Sequence, residues 1–306
     1  MRPKIVVIGS LNMDLVVQAS RPPAAGETIL GEGMQFVPGG KGANQAVALA
    51  RLGAEVALIG SVGKDFFASE LLFSLGTAGV DRTGVKEVET SGTGAAFILL
   101  AEGENSIIVV PGANACCTPA DIDAHMKLIQ NADIVLLQME IPLETVSYAT
   151  QAAKRLGKTV ILNPAPAQKL PDELLACIDY LTPNETELVI LADGQAGLEE
   201  GIDTLLASGV RHVITTLGAQ GVASKQRGQQ LERIPGYRVP VVDTTGAGDA
   251  FNAGLAYALG LGKPPGEAIS FANKVAAVAV GRFGAQLGMP TLEEVVRFSE
   301  SCEQSP

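Results

Sequence analysis

Short apolar runs recur along the chain with amphipathic stretches between them, and this alternation sets the first expectation of the fold. "KIVVIG", "EVALIGSVG", "ADIVLLQ", "KTVILNP", "IDYLTPN" and "RHVITTLG" are runs of strand length, while "ANQAVALARLG", "FASELLFSLGTAG" and "LETVSYATQAAKRLG" carry helical spacing. Near-continuous apolar strands separated by amphipathic helices predict a doubly wound α/β fold, its mostly parallel sheet covered by helices on both faces. Two regions break the rhythm. Residues of about 12–40 and 90–110 alternate, as in "MDLVVQA" and "GTGAAFILLAEGENSIIVVPG", with a hairpin turn expected at Gly103, Glu104 and Asn105. They are expected to be two insertions that build a small β-sheet lid on a single domain spanning residues 1–306.

Composition narrows the class. A chain of 306 residues with 47% hydrophobic content, spread over many short segments, suits a compact core and contains no run of membrane-spanning length. The start "MRPKIVVIGS" passes from two charges into an apolar run that ends at Gly9, too brief for a signal-peptide core, so a cytoplasmic protein is expected. Cys116, Cys117, Cys177 and Cys302 form no C-x-x-C pair and no metal-ligand spacing, which fits reduced thiols. A net charge of −11 argues against nucleic acid, whose backbone needs clustered Lys and Arg, but leaves room for a small anionic ligand held by local amides and a few cations.

In doubly wound folds the ligand sits at the carboxyl ends of the strands. No G-x-G-x-x-G follows the first strand, where Gly9, Ser10, Leu11 and Asn12 stand, so a dinucleotide fingerprint is missing. "GKT" at Gly157–Thr159 lies after a helix and before a strand, the reverse of a phosphate-cradling loop, and Gly157 reads as a helix C-cap. No G-x-S-x-G elbow is present. His125, in an amphipathic helix, and His212, at the start of a strand, both read as structural. If the chain does acid–base chemistry, it falls to a carboxylate.

"VVDTTGAGDAFNAGLAYALG" supplies one. A short extended segment passes through Gly246, Ala247 and Gly248 into an apolar helix, whose first-turn N–H groups and dipole make an anion site. Asp249 beside it reads either as an N-terminal cap or as the base that accepts a proton from a hydroxyl attacking phosphorus. "PGGKGANQAVALARLG" places Lys41 and Asn44 in a second glycine turn, and Asn12 and Asp14 follow the first strand. That Asn, Asp, Lys and Asn set suits a polyhydroxylated ligand.

"GSLNMD", "GGKGANQAVALARLG", "QMEIPLE", "LNPAPA", "TPNETE", "TLGAQG", "DTTGAGDAFNAG" and "VGRFGAQ" stand in order from residue 9 to about 286. In these motifs the chain resembles the ribokinase branch of the PfkB carbohydrate kinase family. The resemblance implies a lidded α/β core, ATP as donor, Mg²⁺ on the phosphates, a monovalent cation, usually K⁺, and transfer of the γ-phosphate to the 5-hydroxyl of ribose. It also implies a homodimer clasped through the lids. It assigns the sugar to Asn12, Met13, Asp14, Gly40, Lys41, Gly42, Ala43, Asn44, Glu140 and Asp249, with Asp249 as base and Gly246, Ala247 and Gly248 as anion hole. The nucleotide falls to Asn184, Thr216, Leu217, Gly218, Ala219, Gln220, Gly221, Gly248 and Asn273. Asp243, Thr245, Ala279, Arg282 and Gly284 would surround the monovalent cation, and Glu187 would be associated with Mg²⁺. One departure stands out: Leu287 and Gly288 follow "GAQ" where ribokinases usually continue with Pro-Ser, so a hydroxyl near the cation loop is absent. A family kinase for deoxyribose, fructose or a nucleoside, and a non-catalytic sugar-binding regulator, are the alternatives.

Overall fold

The structure, a computed structural model, describes residues 2–102, 104–194 and 197–303. Its strands are β1 (Lys4–Ile8), β2 (Asn12–Gln18), β3 (Gly33–Gly39), β4 (Glu55–Gly63), β5 (Asp81–Val88), β6 (Gly94–Ala101), β7 (Glu104–Val110), β8 (Ile134–Leu137), β9 (Thr159–Leu162), β10 (Tyr180–Leu181), β11 (His212–Thr216), β12 (Val222–Gln226) and β13 (Glu232–Ile234). The helices are α1 (Lys41–Arg51), α2 (Phe66–Ala78), α3 (Pro119–Ala124), α4 (Met126–Asn131), α5 (Leu143–Arg155), α6 (Asp172–Leu175), α7 (Glu185–Leu191), α8 (Leu198–Ala207), α9 (Ala247–Gly260), α10 (Pro265–Ala279), α11 (Ala285–Gly288) and α12 (Leu292–Glu303).

Nine strands form one sheet in the order β13-β12-β11-β10-β9-β8-β1-β4-β5. From β11 to β5 every pairing is parallel, and β12 and β13 close one edge antiparallel. The strand β1 shows why the sequence reads as an unbroken apolar run. Ile5 and Val7 join the core under α1, α9 and α10, while Val6 and Ile8 join the core under α5 and α8 on the other face. With no solvent face, no polar alternation survives. The chain steps from β1 out to β4 and β5 and then returns to β8 on the other side of β1. This reversal opens a crevice at the carboxyl ends of the strands.

A second sheet runs β3-β2-β6-β7, in which β2 pairs antiparallel with β3 and parallel with β6. It leaves the main sheet three residues after β1 and rejoins the body at Gly40, the left-handed cap of α1 with φ 86°. A Cβ at Gly40 would come within 2.6 Å of the Asn12 amide, so only glycine permits this joint.

The structure moves three local expectations. The lid hairpin turns at Glu102, with φ 55°, because Ala101 already pairs with Glu104; Glu104 and Asn105 lie in β7, and Gly103 falls outside the described residues. His125 sits between α3 and α4 rather than inside a helix, its Nδ1 hydrogen-bonded to the Asp121 carbonyl at 2.9 Å, which closes the short helix there. The segment 235–245 before Asp249 is irregular rather than extended in a strand. The strands β5, β12 and β13 were not anticipated; β5 and β13 are the edges of the sheet, where charge guards against pairing with other chains, and Lys225 of β12 pairs with Glu199 and Asp203 of α8. His212 opens β11 as expected, buried against Ser224 Oγ at 2.7 Å, and burial pushes its pKa down to about 4. Among the described residues no helix is long and apolar enough to cross a membrane.

Candidate active site

The loops that leave β1, β8, β9, β10 and β11 and the heads of α1 and α9 converge on three adjacent cavities that share lining residues. The first, of 740 Å³, lies between the lid and the body and is lined by Asn12, Asp14, Lys41, Asn44, Glu140 and Asp249, with Ile98 and Ile107 above. The second, of 240 Å³, shares Lys41, Glu187, Gly246 and Asp249 with the first. The third, of 470 Å³, shares Thr216, Thr244, Ala247 and Gly248 with the second and continues between the β11 turn and α10. A ligand group in the first cavity and one in the third therefore meet at the head of α9.

Period-two geometry explains the first cavity. Asn12 and Asp14 share one face of β2 and look into it, whereas Met13 points the other way into the core. Asn12 Oδ1 is fixed by Asn114 Nδ2 at 2.7 Å. Asp14 has room because its neighbour is Gly39, where a Cβ would come 2.4 Å from the carboxylate. Burial, then the charges of Glu140 and Asp249, push the Asp14 pKa up to about 7 against the pull of Lys41. Glu140 accepts hydrogen bonds from Ser10 Oγ and from the Lys41 amide at 3.1 Å. For Lys41, burial works against the charge, but Asp249, Glu140, Glu187 and Asp14 outweigh it and raise the pKa. Its ammonium makes no ion pair within 4 Å among the described residues. It stands as a charged donor facing four carboxylates, free to serve a ligand.

Asp249 is the third residue of α9, not its cap; Gly246, with φ 77°, takes the cap position. The carboxylate is 6% exposed and accepts Asn44 Nδ2 at Oδ2 and Gln45 Nε2 at Oδ1, both at 2.9 Å. The amides at the head of α9 have no acceptor one turn back within the helix. Ala247 N turns to the Thr244 carbonyl at 3.1 Å. Gly248 faces the second and third cavities, and a Cβ there would meet nothing within 4 Å. This glycine leaves a cradle open at a positive helix terminus, the environment that binds phosphate.

On the third cavity, Gly218, Ala219 and Gly221 form one wall, and Gly221 must be glycine: φ is 93° and a Cβ would come 2.2 Å from the Ile234 carbonyl. Asn273 lines the same cavity and donates to the Pro235 carbonyl at 3.2 Å. Asn184 caps α7, accepting Glu187 N at 2.8 Å, while Glu187 Oε2 accepts Asn184 N at 2.9 Å. Burial and the charge of Asp249 raise the Glu187 pKa, with the Asn184 amide and Lys41 opposing.

Beside the head of α9, Asp243 staples two loops, accepting Thr245 N at 2.9 Å and Gly284 N at 2.8 Å. Burial alone would raise its pKa, but these donors lower it. The carbonyls of Ala279 and Arg282 converge on Gly288, at 3.4 and 3.6 Å from where its Cβ would stand. The Arg282 guanidinium turns away to a bidentate pair with Glu294. Converging backbone oxygens suit a hard monovalent cation, and Gly288 fills none of the space between them.

Several expected residues do not line a cavity. Met13, Ala43 and Leu217 are buried in the core, Gly42 lies against the backbone of Gly9 and Ser10, and Gln220 is exposed on its turn. Those segments contribute through backbone and neighbours, because adjacent side chains of a strand or helix cannot share one face. Residues not anticipated are Ser10, Gln45, Asn114, Gln138, Thr182 and Asn252, and the cavity wall of Tyr237, Val239, Ala276, Ala277 and Val280. Buried polar side chains inside apolar runs were a signal for Gln45 and Gln138; the wall, ordinary in composition, gave none.

The model of the pfkB family carbohydrate kinases matches residues 2–292. The ribokinase of Bacillus subtilis is 47% identical over 291 residues, covering 95% of this chain and 97% of that protein. A deoxyribokinase of Salmonella typhimurium is 36% identical, covering 95% and 96%. The ribokinase of Arabidopsis thaliana, solved with ribose and ATP, superposes with a TM-score of 0.92 at 37% identity, covering 97% of this chain and 99% of that one.

Proposed function

We propose, from the premise that the chain belongs to the pfkB family of carbohydrate kinases, that this kinase transfers the γ-phosphate of ATP to the 5-hydroxyl of D-ribose. The observation that carries the reading is the run of three adjacent cavities, the first gathering Asn12, Asp14, Lys41, Asn44 and Glu140, with Asp249 and the Gly246–Gly248 segment where they meet. Ribose occupies the lidded cavity against Asn12, Asp14, Lys41, Asn44 and Glu140, whose donors and acceptors match vicinal hydroxyls. The nucleotide base lies between the Gly218–Gly221 turn and Asn273, and its phosphates run past Asn184 toward Gly248.

In the transfer, a bond forms between the ribose 5-oxygen and the γ-phosphorus while the bond to the ADP oxygen breaks. Asp249 accepts the hydroxyl proton, and the amides of Gly246 and Gly248 face the charge on the moving phosphoryl group, joined by that of Ala247 once it leaves the Thr244 carbonyl. Mg²⁺ would supply charge neutralisation on the phosphate oxygens. Glu187 fits an ion that keeps most of its waters and rides on the nucleotide, since no group of three metal-ligating side chains gathers among the described residues. K⁺ would sit among the backbone carbonyls of the Asp243, Thr245, Ala279, Arg282 and Gly284 loops and stiffen the head of α9.

The deoxyribokinase relative supports a second reading, deoxyribose as the preferred sugar. The exposed apolar side chains of the lid, among them Met34, Phe97 and Ile108, support a dimer clasped lid to lid. Four unpaired cysteines suit a reducing cytoplasm. The chain reads as one α/β domain with its lid. The test is a coupled assay on ribose, deoxyribose, fructose and adenosine, with and without K⁺: ribose should give the highest kcat/KM. Asp249→Asn should lower kcat by about 10²–10⁴-fold; a loss under about tenfold, some 1.4 kcal/mol of barrier, rejects it as the base. Sedimentation at micromolar concentration should show a dimer.

A further inference from the structure

Behind Asp249, on the side away from the cavities, lies a chain of buried amides. Gln45 is 0% exposed and lines none of the three cavities, yet its Nε2 donates to Asp249 Oδ1 at 2.9 Å and to Asn163 Oδ1 at 3.2 Å. An amide can turn either end toward a carboxylate, and the oxygen end would repel it. What sets the end is Gln138, also 0% exposed, whose Nε2 donates to Gln45 Oε1 at 2.5 Å. Gln138 in turn is seated against Gly9, where a Cβ would come 1.9 Å from its Oε1, an oxygen without a partner among the described residues. The relay thus crosses from the β8 loop through α1 to the head of α9.

Stability does not account for this arrangement. An unpaired buried amide oxygen costs about 1–3 kcal/mol, and apolar groups of the same shape in place of a buried hydrogen-bonded pair are close to neutral. The chain keeps polar groups where hydrocarbon would pack as well. Their common end is one carboxylate, held at both oxygens by neutral donors that leave its remaining lone pairs to the cavity.

We infer that Gln45 is a positioning residue for Asp249 and that Gln138 fixes the direction of its amide, so that the carboxylate meets the sugar hydroxyl in a single orientation. The inference rests on Asp249 being the base. Without Gln45 one carboxylate oxygen loses its partner and the group can rotate about its side-chain torsions, with the sugar still bound by the lid residues.

The experiment compares Gln45→Met, Gln138→Met and Gln45→Glu with the parent enzyme, alone and combined with Asp249→Asn. Gln45→Met should lower kcat about 10–100-fold, the cost of a slightly misplaced reacting group, with KM for ribose and for ATP within about threefold. Gln138→Met should do the same more weakly. In Gln45→Glu, an acid of the same shape donates to Asp249 when protonated and repels it when ionised, so the pH of maximal kcat should move downward. In the Asp249→Asn background, Gln45→Met should cost nothing further, since there is no base left to orient. Folding is checked by melting temperature and ribose calorimetry. An unchanged kcat in Gln45→Met, or an additive loss in the double variant, overturns the inference while leaving the base in place; an active Asp249→Asn overturns the base and the inference together. Should Gln45→Met not fold, Gln45→Glu decides, and an unchanged pH profile overturns the inference.

Discussion

The two ends of the row of adjacent cavities are built from different materials. At the proposed sugar end the lining is side chains: Asp14, Glu140, Lys41 and Asp249 bring charges together, amides from Asn44 and Gln45 hold Asp249, and Asn114 holds Asn12. At the nucleotide end, Gly218, Ala219, Gly221, Ala276 and Ala277 offer backbone and small apolar surface. A pentose must be distinguished by its hydroxyls, one bond at a time, which needs named polar groups. A base and a phosphate tail need a slot and a positive helix terminus, which backbone supplies. The sugar end should accordingly fail by chemistry and the nucleotide end by volume.

The largest effect should come from filling the nucleotide end. Gly248→Val places branches where a Cβ meets no protein atom, so the fold persists while the phosphate path closes. Activity at saturating ribose should fall by at least about 10²-fold, comparable with loss of an oxyanion-hole donor, and ribose binding by calorimetry should stay within about threefold, less than 1 kcal/mol. Loss of ribose binding as well would contradict the division between the ends.

At the sugar end, Asp14→Asn should weaken ribose by about 10–100-fold, the scale of a buried charged hydrogen bond, with ATP affinity unchanged. Its pH dependence is the sharper measurement. With a pKa of about 7, Asp14 is half protonated near neutrality, and the carboxylate accepts two hydroxyls better than the acid does. Parent ribose affinity should rise from pH 6 to 8, and this slope should vanish in Asp14→Asn. Stability runs the opposite way: the native state holds the proton up to about pH 7 and the unfolded chain only to 3.8, so the native state binds more protons between these values. Stability therefore declines as pH rises across that window, and thermal melts of Asp14→Asn should lack this component.

A smaller effect is expected for Asn273→Ala at the nucleotide end. It removes one neutral hydrogen bond to the Pro235 carbonyl, worth about 1 kcal/mol, and should raise the ATP KM by about five-fold with ribose unaffected. The smallest is expected beside both ends. Gly288→Ser puts a hydroxyl among the Ala279 and Arg282 carbonyls and should shift the K⁺ concentration for half-activation by about two- to five-fold, less than 1 kcal/mol. Sodium and potassium titrations would read it, and an unchanged titration would detach Gly288 from the cation.

Legibility in the sequence followed the same division. That Asp249, Lys41, Asn12 and Asp14 share one cavity was readable because polar and charged residues beside glycine turns at strand ends are conspicuous against an apolar background. The parallel sheet was readable because β1, β4, β8 and β11 are buried on both faces. The relay was not readable as such: residues 45, 138, 163 and 249 meet only in the fold, and a glutamine inside a helix gives no hint of which carboxylate it holds. The wall from Tyr237 to Val239 follows an irregular segment, so no period marks it. Met13, Ala43 and Leu217 were assigned with their motifs, and the two-residue and 3.6-residue repeats of strand and helix turned their side chains into the core instead.

The parallel pairing of β2 with β6 sets an order on synthesis. A chain growing from its N-terminus completes β2 and β3 while the residues that pair with the other side of β2, 94–100, are not yet made. Until they emerge, the nascent protein carries an open strand edge flanked by Met34 and Phe36, a surface on which chaperones and neighbouring chains can act. The small sheet is thus begun with β2 and cannot be finished until β6 and β7, roughly eighty residues further along, have been made.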